Sequence, residues 1–350
     1  MAQVRPFRAV RYDERRAGPL ASLVAPPYDV LDDAAKAAYR AKSPHNVVHL
    51  TLANDMSDAA DRWKSWLADG TLVRDTEPSC WWLSQTYAGP DGVTRARDGL
   101  VCSLRVEPYE AAVVLPHERT HTGPKEGRLR LLRALRAHVE PIFLLLEGSL
   151  DAPDTETLID VELEGVRSTL RRGPSEAPAM LADARLLIAD GHHRYETALA
   201  YHAEEGTEES AWMLVVIVPT EQEGLTIFPT HRIAERLAPV DGEQPLDGPL
   251  PDDRSAAVIH RASGVTVVTG RPGEPDTALV DRLGLEGVTY TPDENEAKGA
   301  VDSGAAEAAV LVRPPTVELV RQLAERGQTM PQKSTYFYPK LPSGLVFHPL

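Results

Sequence analysis

Cysteine is nearly absent: Cys80 and Cys102 are the only two in 350 residues. Two thiols cannot make a disulfide framework or a cysteine zinc site, so free buried thiols in a reducing cytosol are expected. Long apolar runs are also missing. Nothing approaches the roughly 20 residues that span a bilayer, and the first stretch, MAQVRPFRAVRYDERR, has no apolar signal segment. These absences predict a cytoplasmic chain with no membrane partner. Positive charge is the scarcer sign, with 37 Lys and Arg against 52 Asp and Glu and a net charge of −15. That balance disfavours a nucleic-acid partner while leaving room for a local basic pocket around a small anion. The apolar and charged fractions, 42% and 25%, are those of a globular protein.

The run PHERTH, residues 116–121, spells the H-E-x-x-H of zinc proteases. That signature needs a helix, so that His117 and His121 lie one turn apart on one face with Glu118 beside the metal. Here Pro116 precedes the first histidine, Gly123 and Pro124 follow the second, and no apolar face accompanies them. The expectation is a polar loop that does not hold zinc, with Gly123 and Pro124 opposing a helix. A histidine-built, metal-dependent hydrolase is the least favoured of the functional readings.

Elsewhere the pattern alternates strands and helices. FRAVRY, NVVHLTL, PIFLLLEG, WMLVVIVP, GLTIFPTHR, GVTVVTG and AAVLVRPP read as strands. DAAKAAYRAK, KEGRLRLLRALRAHV and TVELVRQLAERG read as helices. So does SDAADRWKSWLADG, with Ala60, Trp63 and Leu67 on one face. The AGPDG turn predicts a β-hairpin around residues 81–106. PVDGEQPLDGPLPDD looks like a linker or surface excursion. The C-terminal MPQKSTYFYPKLPSGLVFHPL is too rich in proline and aromatics for a loose tail, and is expected to pack back on the body. The fold class is α+β with mixed sheets. The predicted regions are 1–150 with the HERTH loop, 151–240 with the central strand–turn–helix, and 241–350 packing back.

The sharpest local signal is IADGHHRYETAL, a buried strand running through Asp190-Gly191 into a helix. Gly191 permits a tight turn and close approach of a ligand. The first N–H groups of a helix have no acceptor within it, and the helix dipole adds positive charge, so such a start is suited to an anion. His192, His193 and Arg194 add donors, and Arg194 suits a bidentate grip on phosphate. Asp190 is open to several roles: helix cap, histidine partner or magnesium ligand. Four other places combine chemistry: the loop with Glu118 and Lys125, Thr230-His231-Arg232 at a strand end, Lys333 in QKST, and Asp29 after a double proline.

APPYDVL, PHERTHTGPKEGRLRLLRALRAH with PIF, ADGHHRYETAL, FPTHR and MPQKSTYFYPKLPSGLVF together resemble the domain-of-unknown-function 1015 family. Gly127 departs from its pattern, standing where an acidic residue precedes the arginine of the lysine loop. The DGHHR turn in turn resembles the phosphate-binding signature of the ParB/sulfiredoxin-like superfamily, and in particular its free-serine kinases. The resemblance implies that Asp190 to Arg194 hold nucleotide phosphates, with Mg2+ and ADP or ATP as cofactors and a small molecule such as serine as acceptor. The leading expectation is therefore a nucleotide-dependent kinase making O-phosphoserine. Asp190 and His193 would serve in catalysis, with Asp190 as metal ligand. Gly191, His192, His193, Arg194, Lys125 and His231 would bind the nucleotide. Glu118 is the preferred general base and Asp29 the second. The alternative is a CTP-type regulatory module that binds nucleotide without transfer.

Overall fold

WMLVVIVP has no polar alternation, and every position of the strand Trp212–Pro219 is buried. A strand buried on both faces belongs in the middle of a sheet, and this one lies between Ile142–Leu146 and Thr94–Arg105. The computed structural model describes residues 1–118, 122–174, 176–182 and 184–350, with only the backbone of 122–124 and 178.

The chain forms two compact units. One comprises Met1–Pro116, Thr120–Leu225 and Pro339–Leu350; the other comprises His117–Arg119 and Thr226–Tyr338. The second unit thus interrupts the chain of the first, and the C-terminal twelve residues belong to the first unit.

The first unit is built on a nine-stranded mixed sheet. Its order runs Val114–Leu115, Leu186–Asp190, Ile142–Leu146, Trp212–Pro219, Thr94–Arg105, Trp81–Ala88, Val166–Arg172, Thr157–Leu163, with Val4–Arg5 also pairing on Thr94–Arg105. Trp212–Pro219 runs parallel to Ile142–Leu146, while Leu186–Asp190 runs antiparallel to it. The predicted hairpin pairs Trp81 with Val101 and continues to Ala88 and Thr94. Trp82, Leu100, Cys102, Leu104, Ile142, Leu144, Ile188 and Ile217 form a single apolar core with Tyr195 and Ala198 of the helix His192–Glu205. Both cysteines are free and buried.

The second unit has a six-stranded antiparallel sheet ordered Gln244–Pro245, Gly264–Pro272, Arg254–Arg261, Ala308–Leu311, His231–Arg236, Glu286–Thr291. A separate two-stranded antiparallel sheet pairs Thr226–Phe228 with Tyr336–Tyr338. The α+β class with mixed sheets therefore holds.

Several local expectations are corrected. NVVHLTL folds as the short helix Val48–Thr51 rather than a strand. Asn46 accepts from the Val48 N–H and donates to the Ser22 and Val24 carbonyls, so side-chain bonds from Asn46 override β-branched preference. In Met56–Ala68 the buried residues are Ala59, Trp63 and Trp66, and Leu67 is exposed. The stripe is rotated because Trp66 offers more apolar area than Leu67 and packs on Tyr12. GLTIFPTHR is two strands separated at Pro229. The helix expected from Lys125 begins at Thr122, so Gly123 and Pro124 lie in its first turn, where a missing N–H costs nothing. The supposed linker supplies Gln244–Pro245 to the second sheet. Among the described residues no helix is long and apolar enough to cross a membrane.

Candidate functional site: the Asp190 to Arg194 turn

The strand Leu186–Asp190 pairs normally until its register shifts between Ile188 and Asp190, where Asp190 comes opposite Phe143. Such a bulge twists a strand end and re-aims its last side chain. Gly191 follows in the left-handed region at φ 97° and is itself the N-cap of the helix His192–Glu205, with no side-chain cap. A Cβ at Gly191 would lie 2.7 Å from Cγ2 of Ile142 on the neighbouring strand. Glycine is thus required twice, by backbone conformation and by space. The first helical bond runs from the Tyr195 N–H to the Gly191 carbonyl, so the amides of residues 192–194 have no acceptor within the helix.

Asp190 is not the cap; it is clamped between two cations. Lys340 Nζ lies 2.6 Å from Oδ1, and Arg194 Nη2 lies 2.6 Å from Oδ2. Arg194 also donates through Nη1 to the Pro141 carbonyl. Burial alone would raise the Asp190 carboxyl, but Lys340 and Arg194 outweigh it and hold the group well below the ordinary carboxylate range. Arg194 is half-buried; its own desolvation is more than offset by Asp190, then Glu140, Asp29 and Tyr28, which keep it cationic. Asp190 as a magnesium ligand does not fit this arrangement, since each of its oxygens already faces a cation. Among the described residues no group of three His, Cys, Asp or Glu side chains could hold a metal ion.

Around this clamp the first unit gathers several of the family-like motifs. Glu140, 5% exposed, accepts from the Tyr28 N–H at 3.0 Å, from Ser343 Oγ at 2.9 Å and from Arg128 Nη1 at 3.2 Å. Arg128 also donates to the Thr51 carbonyl and stacks 4.0 Å over the Tyr28 ring. One buried carboxylate therefore ties APPYD, the helix Thr122–Leu135 and the C-terminal segment together. Lys125 pairs with Glu196, one turn into the helix that begins at His192. His192 is buried and His193 half-buried.

Asp29 lies in the first unit, whereas Glu118, His231, Arg232 and Lys333 lie in the second. Glu118 forms a parallel bridge with Met330. His117 is fully buried with Nε2 3.0 Å from Thr335 Oγ1, and neither it nor Glu118 is helical. Thr120 and His121 lie outside the described residues. His231 is buried, its Nδ1 accepts the Val312 N–H at 3.2 Å, and burial lowers its pKa. Arg232 donates to the Thr230 and Lys333 carbonyls. FPTHR, the start of HERTH and QKST thus meet, but as a framework within that unit. Sequence reasoning weighed Lys333; the lysine that reaches Asp190 is Lys340, seven residues on. Glu140 was also missed, and only its place before a proline in an apolar stretch marks it.

The family model for the protein of unknown function DUF1015 matches residues 4–248, well over half of the chain. The chain belongs to the DUF1015 family. No curated protein matches it. Among solved structures, a free serine kinase in complex with AMP is similar at 15% identity, covering 67% of this chain and 89% of that one, with a TM-score of 0.42. A conserved hypothetical protein from Pyrococcus furiosus is similar at 16% identity, covering 67% and 92%, with a TM-score of 0.39. SbnI from Staphylococcus aureus, truncated at its C-terminus, is similar at 11% identity, covering 68% and 84%, with a TM-score of 0.35. In this DUF1015 chain the matched region includes the whole Asp190 to Arg194 turn, but not Lys340.

Proposed function

We propose that this DUF1015 protein is a nucleotide-dependent kinase of a small hydroxy compound, free serine first, whose phosphates are held at the Asp190 to Arg194 turn. The observation that carries the reading is the bulged strand end, left-handed Gly191 and helix start, with half-buried Arg194 beside it. The resemblance of DGHHR to a phosphate-binding signature of the ParB/sulfiredoxin-like superfamily supports it. Phosphoryl transfer asks of a protein mainly a held phosphate, neutralised charge and an oriented acceptor. Helix amides and Arg194 address the first two, and His192, His193 and Lys125 lie on the same or the adjoining helix.

For the acceptor we favour Asp29 over Glu118 as general base. Asp29 belongs to the same unit as the turn, is exposed, and is among the charges that raise Arg194. In the reaction the acceptor oxygen forms a bond to the terminal phosphorus, the bridging P–O bond to the nucleotide breaks, and the hydroxyl proton passes to Asp29. Magnesium is given no seat on the protein and enters only as the nucleotide's own counter-ion.

The test is incubation with serine, magnesium and either ADP or ATP, following O-phosphoserine. Asp29→Asn is expected to lower turnover on the order of 10²–10⁴-fold with nucleotide binding retained. Glu118→Gln run in parallel decides between the two bases. Nucleotide binding without any phosphorylated product across a panel of hydroxy metabolites would replace the kinase by the regulatory-module reading.

A further inference from the structure

Lys340 lies beyond the residues the family model matches, 150 positions from Asp190, and comes from the segment that re-enters the first unit after residues 226–338. Its place is fixed on both sides. The Pro339 carbonyl accepts from Arg97 Nη2 at 2.7 Å. Ser343 pairs by backbone with Ala25 and by Oγ with Glu140. Further on, Phe347 exchanges backbone bonds with Val10 and packs edge-on against Tyr12 and Trp63. The lysine is therefore presented by a backbone fastened to the same loops that surround the turn.

We propose that Lys340 is a second cationic ligand of the phosphate site, supplied by the chain end, and that Asp190 holds its place until a phosphate-bearing anion arrives. This rests on the reading of the Asp190 to Arg194 turn as an anion seat. Lys340 and Arg194 flank one carboxylate at 2.6 Å each, so an anion at the turn lies within reach of both heads. Within this triad two cations face a single carboxylate. Fully buried Arg97 is a third positive charge coupled to Asp190. Glu140 pairs with Arg128 and Glu196 with Lys125, and exposed Asp29 is a further carboxylate that acts on Arg194. Lys340 and Arg194 remain partly reachable, with side chains 15% and 9% exposed. A site of this charge suits a phosphate chain better than a metal or a neutral ligand.

The competing role is plain: Lys340 merely neutralises Asp190. A double-mutant cycle separates the two. Binding of pyrophosphate, ADP and ATP to the full chain is measured by calorimetry in wild type, Lys340→Ala, Asp190→Asn and the double variant, with folding checked by circular dichroism. If Lys340 is a ligand, Lys340→Ala weakens binding on the order of 10- to 100-fold in both backgrounds, and Lys340→Arg restores most of it. If Lys340→Ala has no effect once Asp190 is neutral, the proposal is overturned. Asp190→Ser provides a second neutral background should Asp190→Asn fold poorly. Pyrophosphate binding without nucleotide binding, with the cycle holding, sinks the kinase reading and leaves this inference standing. Absence of binding to all three anions overturns both.

Discussion

Replacing Arg194 probes the site and the fold through the same side chain. In Arg194→Ala the protein loses a 2.6 Å pair with Asp190 and the bond to the Pro141 carbonyl. Breaking a buried pair ordinarily costs about 3–5 kcal/mol because the remaining charge is stranded. Here Lys340 stays on the other carboxylate oxygen, so Asp190 is not stranded and the expected stability loss is about 2–3 kcal/mol. The phosphate loses one charge-assisted donor, worth about 1.5–3 kcal/mol, which is roughly 10- to 150-fold in affinity. Arg194→Lys keeps the charge but not the fork, and cannot serve Asp190 and Pro141 from two nitrogens. It is expected to recover part of the affinity and less of the stability. Urea unfolding reads the first quantity and calorimetric titration with ADP and ATP the second. A folded Arg194→Ala protein whose stability falls while its nucleotide affinity is unchanged would show that Arg194 is a strut, and the phosphate reading would lose its cation.

Gly191→Ala is expected to cost about 1–2 kcal/mol for the left-handed backbone and about 1–3 kcal/mol more for the contact with Ile142; a loss under about 0.5 kcal/mol by urea unfolding would contradict the turn geometry. Glu140→Gln weakens the pair with Arg128 and the anchors of Tyr28 and Ser343, so it should destabilise by about 2–4 kcal/mol and loosen the C-terminal segment. Faster amide exchange at residues 343–347 checks this. His138 and His348 are buried, burial lowers both below the usual histidine value, to about 4 and about 3, and each ring has a nitrogen without a partner among the described residues. Their folded values lie below the unfolded one, so the unfolded chain takes up protons first as pH falls. Stability is full above about pH 6.5 and declines toward pH 4, by about 2 kcal/mol per histidine at pH 5. Denaturation midpoints at pH 7.5 and 5 test this, and His348→Gln should flatten the slope.

The strand–Gly–helix turn was legible because its causes are local. An apolar run, a glycine and a helical repeat lie within about twenty residues, and the helix ends at Gly206 as its C-cap. The hairpin around AGPDG and the buried run of Trp212–Pro219 were legible for the same reason. Local preference misled where a partner distant in sequence decided the outcome. The β-branched residues of NVVHLTL became a helix because Asn46 bonds back to Ser22 and Val24. The face of Met56–Ala68 was set by which tryptophan met Tyr12, and the proline-rich stretch after residue 239 found an edge strand to pair with.

By itself, the sequence determined that residues 190–194 form a cationic turn at the start of a helix, since chain direction and glycine conformation are properties of neighbours. It did not reveal which charges complete that turn. Glu118 and Lys125, seven residues apart, fall in different units, while Lys340 meets Asp190 across 150 positions. Only the tertiary structure decided this, because a buried carboxylate takes whichever cations the packed backbone brings within about 3 Å, and sequence separation does not enter that choice.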